Sequence, residues 1–392
     1  MSGDIQLTPL KSSDLMIGEP APWPVFDRYG WLLLQRGATI HTERQKDVLV
    51  HAGLRELQPE ELEEQRVAAE QAELKRLQAE RSRRNPFALF NHITVRLEAL
   101  FQQLEAGERG ATEQSLSQLL DMLAYLVDSN PDAALGAVHL AADFPYALRH
   151  PVQVAIISEL VSRRAGFPVD RRRGLLAAAL TSNVGMLTFQ QDLETQVEPL
   201  TPFQRRELER HPERSVALLK AAGVTDTTCL TAVAQSHEKL DGSGYPQGLT
   251  GEAISPEARV LSLADVYSAM ITPRVYREAV PAQDALRDIF TQRGRQYDAA
   301  LAQYFIKVLG VYPPGVYVDL SNGEVAVVVE RGEDISQPRV ASVLKRGGEP
   351  YLKPVHRQCE YGTLTVSGLH QRNYQAWHLD LPAIWGYRAV SA

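Results

Sequence analysis

The chain has 392 residues, of which 44% are hydrophobic and 23% are charged, as is typical of a globular protein with a sizeable core. The formal net charge of −7 excludes a global basic field that would attract a nucleic acid polymer or an anionic membrane. Two distant cysteines, Cys229 and Cys359, argue against a disulfide framework and favour a reducing compartment. No secretory signal or membrane-spanning apolar run is visible, so we expect a cytoplasmic protein.

The first predicted unit covers residues 1–57 and combines strands with one helix. Two short apolar runs, 23–26 and 31–34, flank a glycine-containing turn, and this pattern predicts a β-hairpin. Thr42 is a favourable N-cap for a following helix, and Gly53 ends that helix. We therefore expect a small α+β unit at the start of the chain.

A helical linker, a helical domain and a set of strands follow. Residues 58–84 contain many helix-forming residues and few apolar ones, which predicts an exposed helix. Residues 85–310 keep a helical periodicity, and Thr201 followed by Pro202 is a strong helix start. Residues 311–392 contain β-prone runs separated by Gly and Pro, which predicts a strand-rich extension. The predicted fold class is mainly α, with a small α+β unit before the helices and strands after them.

Residues suited to chemistry lie along the helical domain. His237 stands beside two carboxylates and a glycine-rich turn, and Asp265 lies in an apolar helix, where it needs a cation or donors nearby. His211 lies inside a predicted helix, and His150 opens another. Imidazoles and carboxylates on facing helices form the metal sites of helical bundles. A lone helical histidine is more often a hydrogen-bonded core or surface residue, and Asp265 suits a helix cap or an arginine partner equally well.

A long ordered motif adds to this pattern. Residues 236–254 resemble the signature of the HD-GYP family, HHExxDGxGYPxGLxGxxI, and residues 259–270 and 273–277 are similar to the next two family blocks. Two earlier family positions are matched by His150 and His211. The resemblance covers residues 145–310.

This resemblance implies an all-α HD-type fold around two or three metal ions, usually iron or manganese. Family members hydrolyse cyclic di-GMP, because metals lower the pKa of a bridging water and clamp the phosphate oxygens. A bridging aspartate sets the metal separation and neutralises part of the metal charge. The residual metal-ligand positions that the resemblance implies are His150, His211, His237 and Asp265.

The chain departs from the family pattern where the metals should be held. The eponymous His-Asp pair precedes a short Gly-Lys turn, and we align Thr181 with the His, Ser182 with the Asp and Met186 with the Lys. Three further ligand positions are also changed, and they are occupied by Ser236, Tyr146 and Ser268. Neutral hydroxyl groups replace a carboxylate poorly, so we expect no cofactor. The alternative is one weakly bound iron or manganese ion.

The glycine-rich loop is retained, and the residues that we assign to partner binding are Asp241, Gly242, Gly244, Tyr245 and Pro246. The two glycines and the proline predict a rigid loop that exposes Tyr245 as an interface anchor. The family resemblance implies contacts of this loop with diguanylate cyclase (GGDEF) domains.

Two arginines downstream of the loop are also retained. Arg274 and Arg277 match family positions near the substrate phosphates, and guanidinium groups bind phosphate through paired donors. Salt bridges to Glu278 or Asp284 are the alternative role for these arginines.

Two functions from different classes follow. The first is a catalytically inactive interaction or nucleotide-sensing module in bacterial cyclic di-GMP signalling, which binds a protein partner or the nucleotide itself. The alternative is an active metal-dependent cyclic di-GMP phosphodiesterase with a rebuilt metal site, in which Glu238 or Asp241 supplies the bridge. The substitutions at Thr181 and Ser182 favour the first. A relative of the metal-free HD output domains is a third reading, which the GYP signature opposes.

Overall fold

The computed structural model describes residues 7–56, 61–63, 66–67, 85–194, 196, 198–273, 278–334, 336–370 and 380–387. The chain divides into two compact units, Met1–Glu80 and Arg81–Ala392. Most of the predicted linker helix 58–84 lies outside the described residues, as do Arg274 and Arg277.

The first unit is a four-stranded antiparallel sheet with one helix. Its elements are β1 (Leu7–Pro9), β2 (Val25–Phe26), β3 (Leu32–Leu34), α1 (Glu43–Ala52) and β4 (Leu54–Glu56), and the sheet order is β1-β4-β2-β3. The predicted hairpin is confirmed, because β2 pairs with β3. Asp27 Oδ1 accepts two backbone N–H groups of its turn, and Gly30 adopts a φ of +83° there. Thr42 caps α1 by accepting the N–H of Gln45, and Gly53 ends it.

The second unit is largely helical, which confirms the predicted fold class. Its helices are α2 (Pro86–Ala106), α3 (Arg109–Ser129), α4 (Pro131–Leu140), α5 (Tyr146–Arg164), α6 (Val169–Thr181), α7 (Leu187–Glu194), α8 (Pro202–Glu209), α9 (His211–Ala221), α10 (Thr227–Ala234), α11 (Pro256–Ile271), α12 (Ala282–Thr291) and α13 (Ala299–Leu309). The periodic leucines of α3 pack into one apolar cluster with α2, α5, α6 and α11. This core holds the helices that carry the candidate site.

The helix that carries His150 begins earlier than predicted. α5 starts at Tyr146, directly after Pro145, so His150 lies in its second turn. Pro151 lies inside the helix, although proline is usually favoured in a first turn. Tyr146 therefore lies one turn before His150 on the same face, and the two rings stack with centroids 4.7 Å apart.

The strand-rich C-terminal part is confirmed. Its elements are β5 (Tyr317–Leu320), β6 (Val325–Glu330), β7 (Arg339–Leu344), β8 (Pro350–Gln358), β9 (Val366–Leu369) and the short α14 (Leu381–Ile384), and the antiparallel sheet has the order β8-β7-β6-β5-β9. The long strand β8 was not predicted, because its residues are mostly polar and half-exposed. Trp385 packs against Phe87 of α2 with ring centroids 5.0 Å apart, so the strands share a compact unit with the helices.

Both cysteines are buried free thiols. Within the described part of the chain, no helix combines the length and the apolar character that a bilayer crossing requires.

Candidate functional site

A cavity of about 270 Å³ lies where five helices and the glycine-rich loop meet. The structure brings all four residual ligand positions into its wall, and these are His150, His211, His237 and Asp265. α5 supplies His150, α9 supplies His211, α11 supplies Asp265, and the segment after α10 supplies His237. Residues more than a hundred positions apart in the chain thus share one cavity.

A proline fixes the orientation of His211. The sequence predicted His211 inside the helix that starts at Pro202, but α8 ends at Glu209 and His211 opens α9. Pro212 has no N–H with which to reach the carbonyl of Leu208, four residues earlier. The Nδ1–H of His211 donates to that carbonyl instead, at 2.6 Å. The remaining ring nitrogen, Nε2, is therefore an acceptor.

His237 links His211 to Asp265. The Nε2 atoms of the two histidines are 3.1 Å apart, so His237 donates its Nε2–H to His211. The Nδ1 atom of His237 lies 3.7 Å from Asp265 Oδ2. Burial and then the charge of His237 lower the pKa of His211 to about 3. Burial also lowers the pKa of His237, against the opposing attraction of Asp265.

A second hydrogen-bonded chain reaches Asp265 from the other side. Gln153 donates to the carbonyl of Val138 at 2.8 Å, and Ser268 donates its hydroxyl to Gln153 Oε1 at 3.0 Å. Ser268 Oγ consequently accepts from His150 Nδ1, 3.1 Å away, and His150 Nε2 lies 2.9 Å from Asp265 Oδ1. Both ring nitrogens of His150 thus face acceptors.

These contacts keep Asp265 ionised. Burial acts to raise its pKa, but the hydrogen bond from His150 and the nearby charge of His237 outweigh burial and lower the pKa to about 2. The position of Asp265 in an apolar helix predicted that its carboxylate needs donors or a cation nearby. Histidines occupy that role in the structure.

The residues aligned with the His-Asp pair do not line the cavity. The hydroxyl of Thr181 donates to the carbonyl of Ala177 in its own helix, and Ser182 lies outside the wall. Asn183, one residue further along, lies in the wall with Met186. At the end of α6, the wall residue is therefore Asn183 and not Ser182, and it presents a neutral amide to the site instead of a hydroxyl group. Counting residues back from the turn at Gly185 and Met186 would have identified Asn183 from the sequence.

A glycine holds Asn183 in this place. Gly185 donates its N–H to Ser215 Oγ at 2.9 Å, and Ser215 donates its hydroxyl to the carbonyl of Ser182 at 2.7 Å. A Cβ atom on Gly185 would lie only 2.7 Å from the carbonyl oxygen of His211. The turn after α6 therefore packs on the first turn of α9, and this contact places Asn183 and His211 in one wall.

Two amides in the wall have unsatisfied oxygens. Asn183 is 5% exposed and Gln190 of α7 is 8% exposed, and both line the cavity. Neither Asn183 Oδ1 nor Gln190 Oε1 accepts a hydrogen bond from a described residue. A buried acceptor without a donor costs about 1–3 kcal/mol, and no described residue donates to either oxygen. Sequence reasoning did not identify Gln190, because α7 carries no family motif.

The carboxylates nearest the motif serve the glycine-rich loop. Glu238 is buried and accepts the backbone N–H groups of Gln247 at 2.7 Å and Leu249 at 2.9 Å. Asp241 accepts from the backbone and hydroxyl of Ser243 and lies 3.6 Å from Arg295. Neither carboxylate lines the cavity, so neither is placed to bridge metals there.

The close approach of the loop depends on glycine. A Cβ atom on Gly244 would lie 2.5 Å from the carbonyl oxygen of His237 and 2.5 Å from the amide nitrogen of Lys239. Gly242 adopts a φ of +77°, which other residues resist. The two glycines therefore press the loop backbone against the segment that carries His237.

The prediction of an exposed Tyr245 is wrong. Its ring is half-buried, lines the cavity and stacks on His237 with centroids 4.8 Å apart and an interplanar angle of 16°. Burial raises its pKa. The tight loop turns Tyr245 inward, while Asp241, Ser243 and Gln247 are exposed.

The other departures from the family pattern differ in their surroundings. Tyr146 stacks on His150, and Ser268 relays a hydrogen bond from it, so both belong to the site. Ser236 is buried, and its hydroxyl has no hydrogen-bond partner among the described residues.

The cavity wall contains donor types that a divalent transition metal accepts, but it contains a single carboxylate among its described residues. Three imidazoles and one carboxylate are ligands that such an ion accepts. Two divalent ions carry a combined charge of about +4, whereas Asp265 is the single carboxylate among the described wall residues. Within the described chain no three His, Cys, Asp or Glu side chains are arranged as ligands of a common ion. The direct contact of His211 with His237 must open before either binds one.

Comparison with known proteins gives one family. The HD domain family matches residues 121–301. A cyclic di-GMP phosphodiesterase of Pseudomonas aeruginosa is 27% identical over 266 residues, which are 68% of this chain and 64% of that protein. A cyclic di-GMP phosphodiesterase response regulator of Xanthomonas campestris is 33% identical over 144 residues, 36% of this chain and 38% of that protein. A 3'3'-cGAMP-specific phosphodiesterase of Vibrio cholerae is 32% identical over 145 residues, 37% of this chain and 31% of that protein.

The chain thus spans between about a third and two thirds of the length of these relatives. The matched region holds both the helical framework and the loop 241–246, whose sequence is Asp-Gly-Ser-Gly-Tyr-Pro. Residues 121–301 of the chain therefore match the HD domain family, and the loop within them carries the Gly-Tyr-Pro motif.

Proposed function

We propose that this chain is a catalytically inactive HD-GYP protein that acts as an interaction or nucleotide-sensing module in cytoplasmic cyclic di-GMP signalling. One observation carries the proposal: a neutral amide, Asn183, lies in the cavity wall where a bridging carboxylate is required. Metal-assisted hydrolysis needs ions whose charge is partly neutralised by their ligands and whose separation is fixed. Asp265 is the single carboxylate of the described wall, and it is bound by His150.

The positions of the nearby carboxylates support the proposal. Glu238 already binds two backbone N–H groups of the loop, and Asp241 binds Ser243. Moving Glu238 into the cavity would leave its two partly buried donors unsatisfied, which costs about 1–3 kcal/mol for each. Asp241 lies on the exposed side of the loop, outside the cavity wall. Neither Glu238 nor Asp241 is therefore available as the bridging ligand of a rebuilt metal site.

The proposed partners follow from the relatives and the loop. The names of the relatives specify cyclic di-GMP or 3'3'-cGAMP as substrates, so we propose that this chain works in a cyclic dinucleotide pathway. The outer face of the loop, formed by Asp241, Ser243 and Gln247, is exposed and suits a protein partner such as a GGDEF domain. We propose no resident cofactor, and at most one weakly held iron or manganese ion.

An active phosphodiesterase is the second candidate function. The observation that favours it is the convergence of three histidines and Asp265 in one cavity. His150 is hydrogen-bonded to Asp265, and His211 is hydrogen-bonded to His237. One metal bound by these residues would still polarise a phosphate oxygen.

A hydrolysis assay decides between the two candidates. The purified protein is incubated with cyclic di-GMP in added Mn²⁺ or Fe²⁺, with the Pseudomonas aeruginosa relative as the active control and Asp265→Asn as the matched variant. We expect substoichiometric metal by elemental analysis and no product above the blank. Product formation that the Asp265→Asn variant abolishes would establish the active enzyme and refute the proposal.

A further inference from the structure

We infer that the first compact unit associates with a second copy of this chain through two neighbouring surfaces. One is the hairpin tip, formed by Tyr29, Trp31 and Leu32. The other is the α1 groove, a cleft between β3 and α1 whose apolar lining consists of Leu33, Leu34, Ile40, Val48 and Leu49. In the inferred dimer, each hairpin tip enters the α1 groove of the other copy. None of these residues lines the histidine cavity, so this inference goes beyond the proposed function and does not depend on it.

The hairpin tip is exposed, and its backbone is fixed. Tyr29 is 70% exposed and Trp31 is 73% exposed. The carboxylate of Asp27 accepts the backbone N–H groups of both residues at 2.8 Å, and the N–H of Asp27 donates to the carbonyl of Trp31 at 2.8 Å. Large aromatic side chains lose little entropy on binding, and Trp and Tyr are enriched among the residues that anchor protein interfaces. The tip therefore has the composition and the rigidity of an interface anchor.

The α1 groove is an apolar cleft next to the tip. Its volume is about 500 Å³, which lies inside the roughly 300 to 1,000 Å³ range of sites that take drug-sized ligands. Ile40 is buried, whereas Leu33 and Val48 are exposed to solvent. The groove is thus large enough for an aromatic side chain, and filling it would remove Leu33 and Val48 from water.

Strand β3 carries parts of both surfaces and is an edge strand. It ends the sheet order, so no described strand pairs with its outer side. A two-fold axis beside an edge strand sets it antiparallel to its copy, and the residue before the axis then lies opposite the residue after it. With the axis beside Leu32, Trp31 of one copy lies opposite Leu33 of the other, which lines the groove. A second copy therefore covers the tip and the groove of each chain at once.

The charges around β3 suit this pairing. Residues 29–35 include no charged side chain, so the axis brings no like charges into the centre of the contact. Arg44 lines the groove and forms no ion pair with a described residue, so its guanidinium is available to stack on an incoming Trp31 ring. Arg28 and Arg36 flank the uncharged stretch with the same sign. Added NaCl should therefore tighten the dimer, whereas it would weaken the binding of an acidic partner.

The exposed area predicts a weak dimer. The rings of Tyr29 and Trp31 expose on the order of 300 Å² per copy, because an aromatic side chain presents about 150–250 Å². With the exposed leucine and valine side chains added, each copy stays below the roughly 800 Å² of a standard interface. Interfaces below that size belong to weak or transient complexes, so we expect a dissociation constant in the micromolar range.

Sedimentation velocity of the full chain over a concentration series tests the association. Trp31→Glu changes the tip and Val48→Glu changes the groove. Phe203→Glu on α8 is the matched control, since Phe203 is 62% exposed and Val48 is 61% exposed. We expect a reversible dimer that each site variant weakens at least tenfold and that the control leaves unchanged. A wild-type chain that stays monomeric at every concentration, or a dimer that neither site variant weakens, would overturn the inference. Melting curves check folding, and either site variant suffices here if the other does not fold.

A mixture of the two site variants tests the exchange of tips. The Trp31→Glu copy keeps an intact groove and the Val48→Glu copy keeps an intact tip, so a mixed dimer retains one of the two contacts. We expect the mixture to associate more tightly than either variant alone. A mixture that associates no better than its components would overturn the exchange.

A lipid surface is the rival occupant of the tip, because exposed Trp and Tyr rings also suit the membrane interface. Vesicles of phosphatidylglycerol are the probe. We expect the chain to stay in solution, because its formal net charge of −7 opposes binding to anionic lipid. Co-sedimentation of a monomeric wild-type chain that Trp31→Glu abolishes would assign the tip to lipid and overturn the inference.

Discussion

His211 and His237 hydrogen-bond each other directly, with their Nε2 atoms 3.1 Å apart. His211 is also held from its far side by the carbonyl of Leu208, and His237 Nδ1 lies 3.7 Å from Asp265 Oδ2. Burial lowers the pKa of both rings. A proton or a metal ion that enters must therefore break an existing contact.

The first prediction concerns pH. The pKa of His211 is about 3 in the folded protein and near 6.5 when unfolded, so the unfolded chain binds more protons between these values. Stability should therefore fall as the pH falls from 6.5 toward 3, by up to about 1.4 kcal/mol per pH unit for this group. Urea unfolding of His211→Asn, which keeps a donor for Leu208, should show a shallower decline. The exposed His92→Asn should follow the wild type, and an unchanged slope in His211→Asn would contradict the assignment.

The second prediction concerns the ion pair of His150 with Asp265. Asp265→Asn removes a charged acceptor from His150 and should lower the free energy of unfolding by about 1–3 kcal/mol at pH 7. Because the pKa of Asp265 is lowered from 3.8 to about 2, this contribution is complete above pH 4 and disappears as the pH falls toward 2. Chemical unfolding across this range measures it. Asp284→Asn, which breaks an exposed pair with Arg287, should cost less than about 1 kcal/mol.

The third prediction concerns the loop glycine. Gly244→Ala should destabilise the protein by several kcal/mol or rearrange the loop, because the new Cβ would lie 2.5 Å from two backbone atoms. Gly110→Ala is the control, since that helical glycine has open space and alanine favours the helix by about 1 kcal/mol. Thermal unfolding measures both. A tolerated Gly244→Ala with an unchanged melting temperature would show that the loop does not pack as described.

The fourth prediction concerns Glu238 as the anchor of the loop. Glu238→Gln leaves one acceptor for the two N–H groups of Gln247 and Leu249, so their hydrogen exchange should quicken while exchange in α6 stays unchanged. Glu252→Gln, an exposed change close to the loop, is the control. Equal protection in both variants would contradict the anchoring role.

The fifth prediction tests the outer face of the loop as a partner surface. Because Tyr245 turns into the cavity, Gln247→Arg is the sharper probe of the exposed face. We expect it to weaken capture of a GGDEF domain at least tenfold, as an interface substitution of about 1.4 kcal/mol would. His211→Ala and the distant Gln102→Arg should both retain capture. Loss of capture in His211→Ala alone would assign the interaction to the cavity.

The signature identified the residues that converge, but not the direction of each side chain. His150, His211, His237 and Asp265 came from matched motif positions, and the structure places them in one cavity. The alignment missed Asn183, because successive side chains at a helix end differ by about 100° in direction and a one-residue shift changes which one faces the wall. The inward turn of Tyr245 depends on the backbone contact at Gly244, which motif spacing does not encode.

The hydrogen bonds that hold the cavity wall have a kinetic consequence. One set joins Leu208, His211 and His237, and the other joins Asp265, His150, Ser268, Gln153 and Val138, with His237 Nδ1 3.7 Å from Asp265 Oδ2 between the two sets. Side chains held in this way have already lost their rotamer freedom, so a ligand that enters pays little further entropy to order them. A ligand that leaves these contacts in place needs no rearrangement of the rings, so related ligands of this kind should differ in how long they stay bound more than in how fast they arrive.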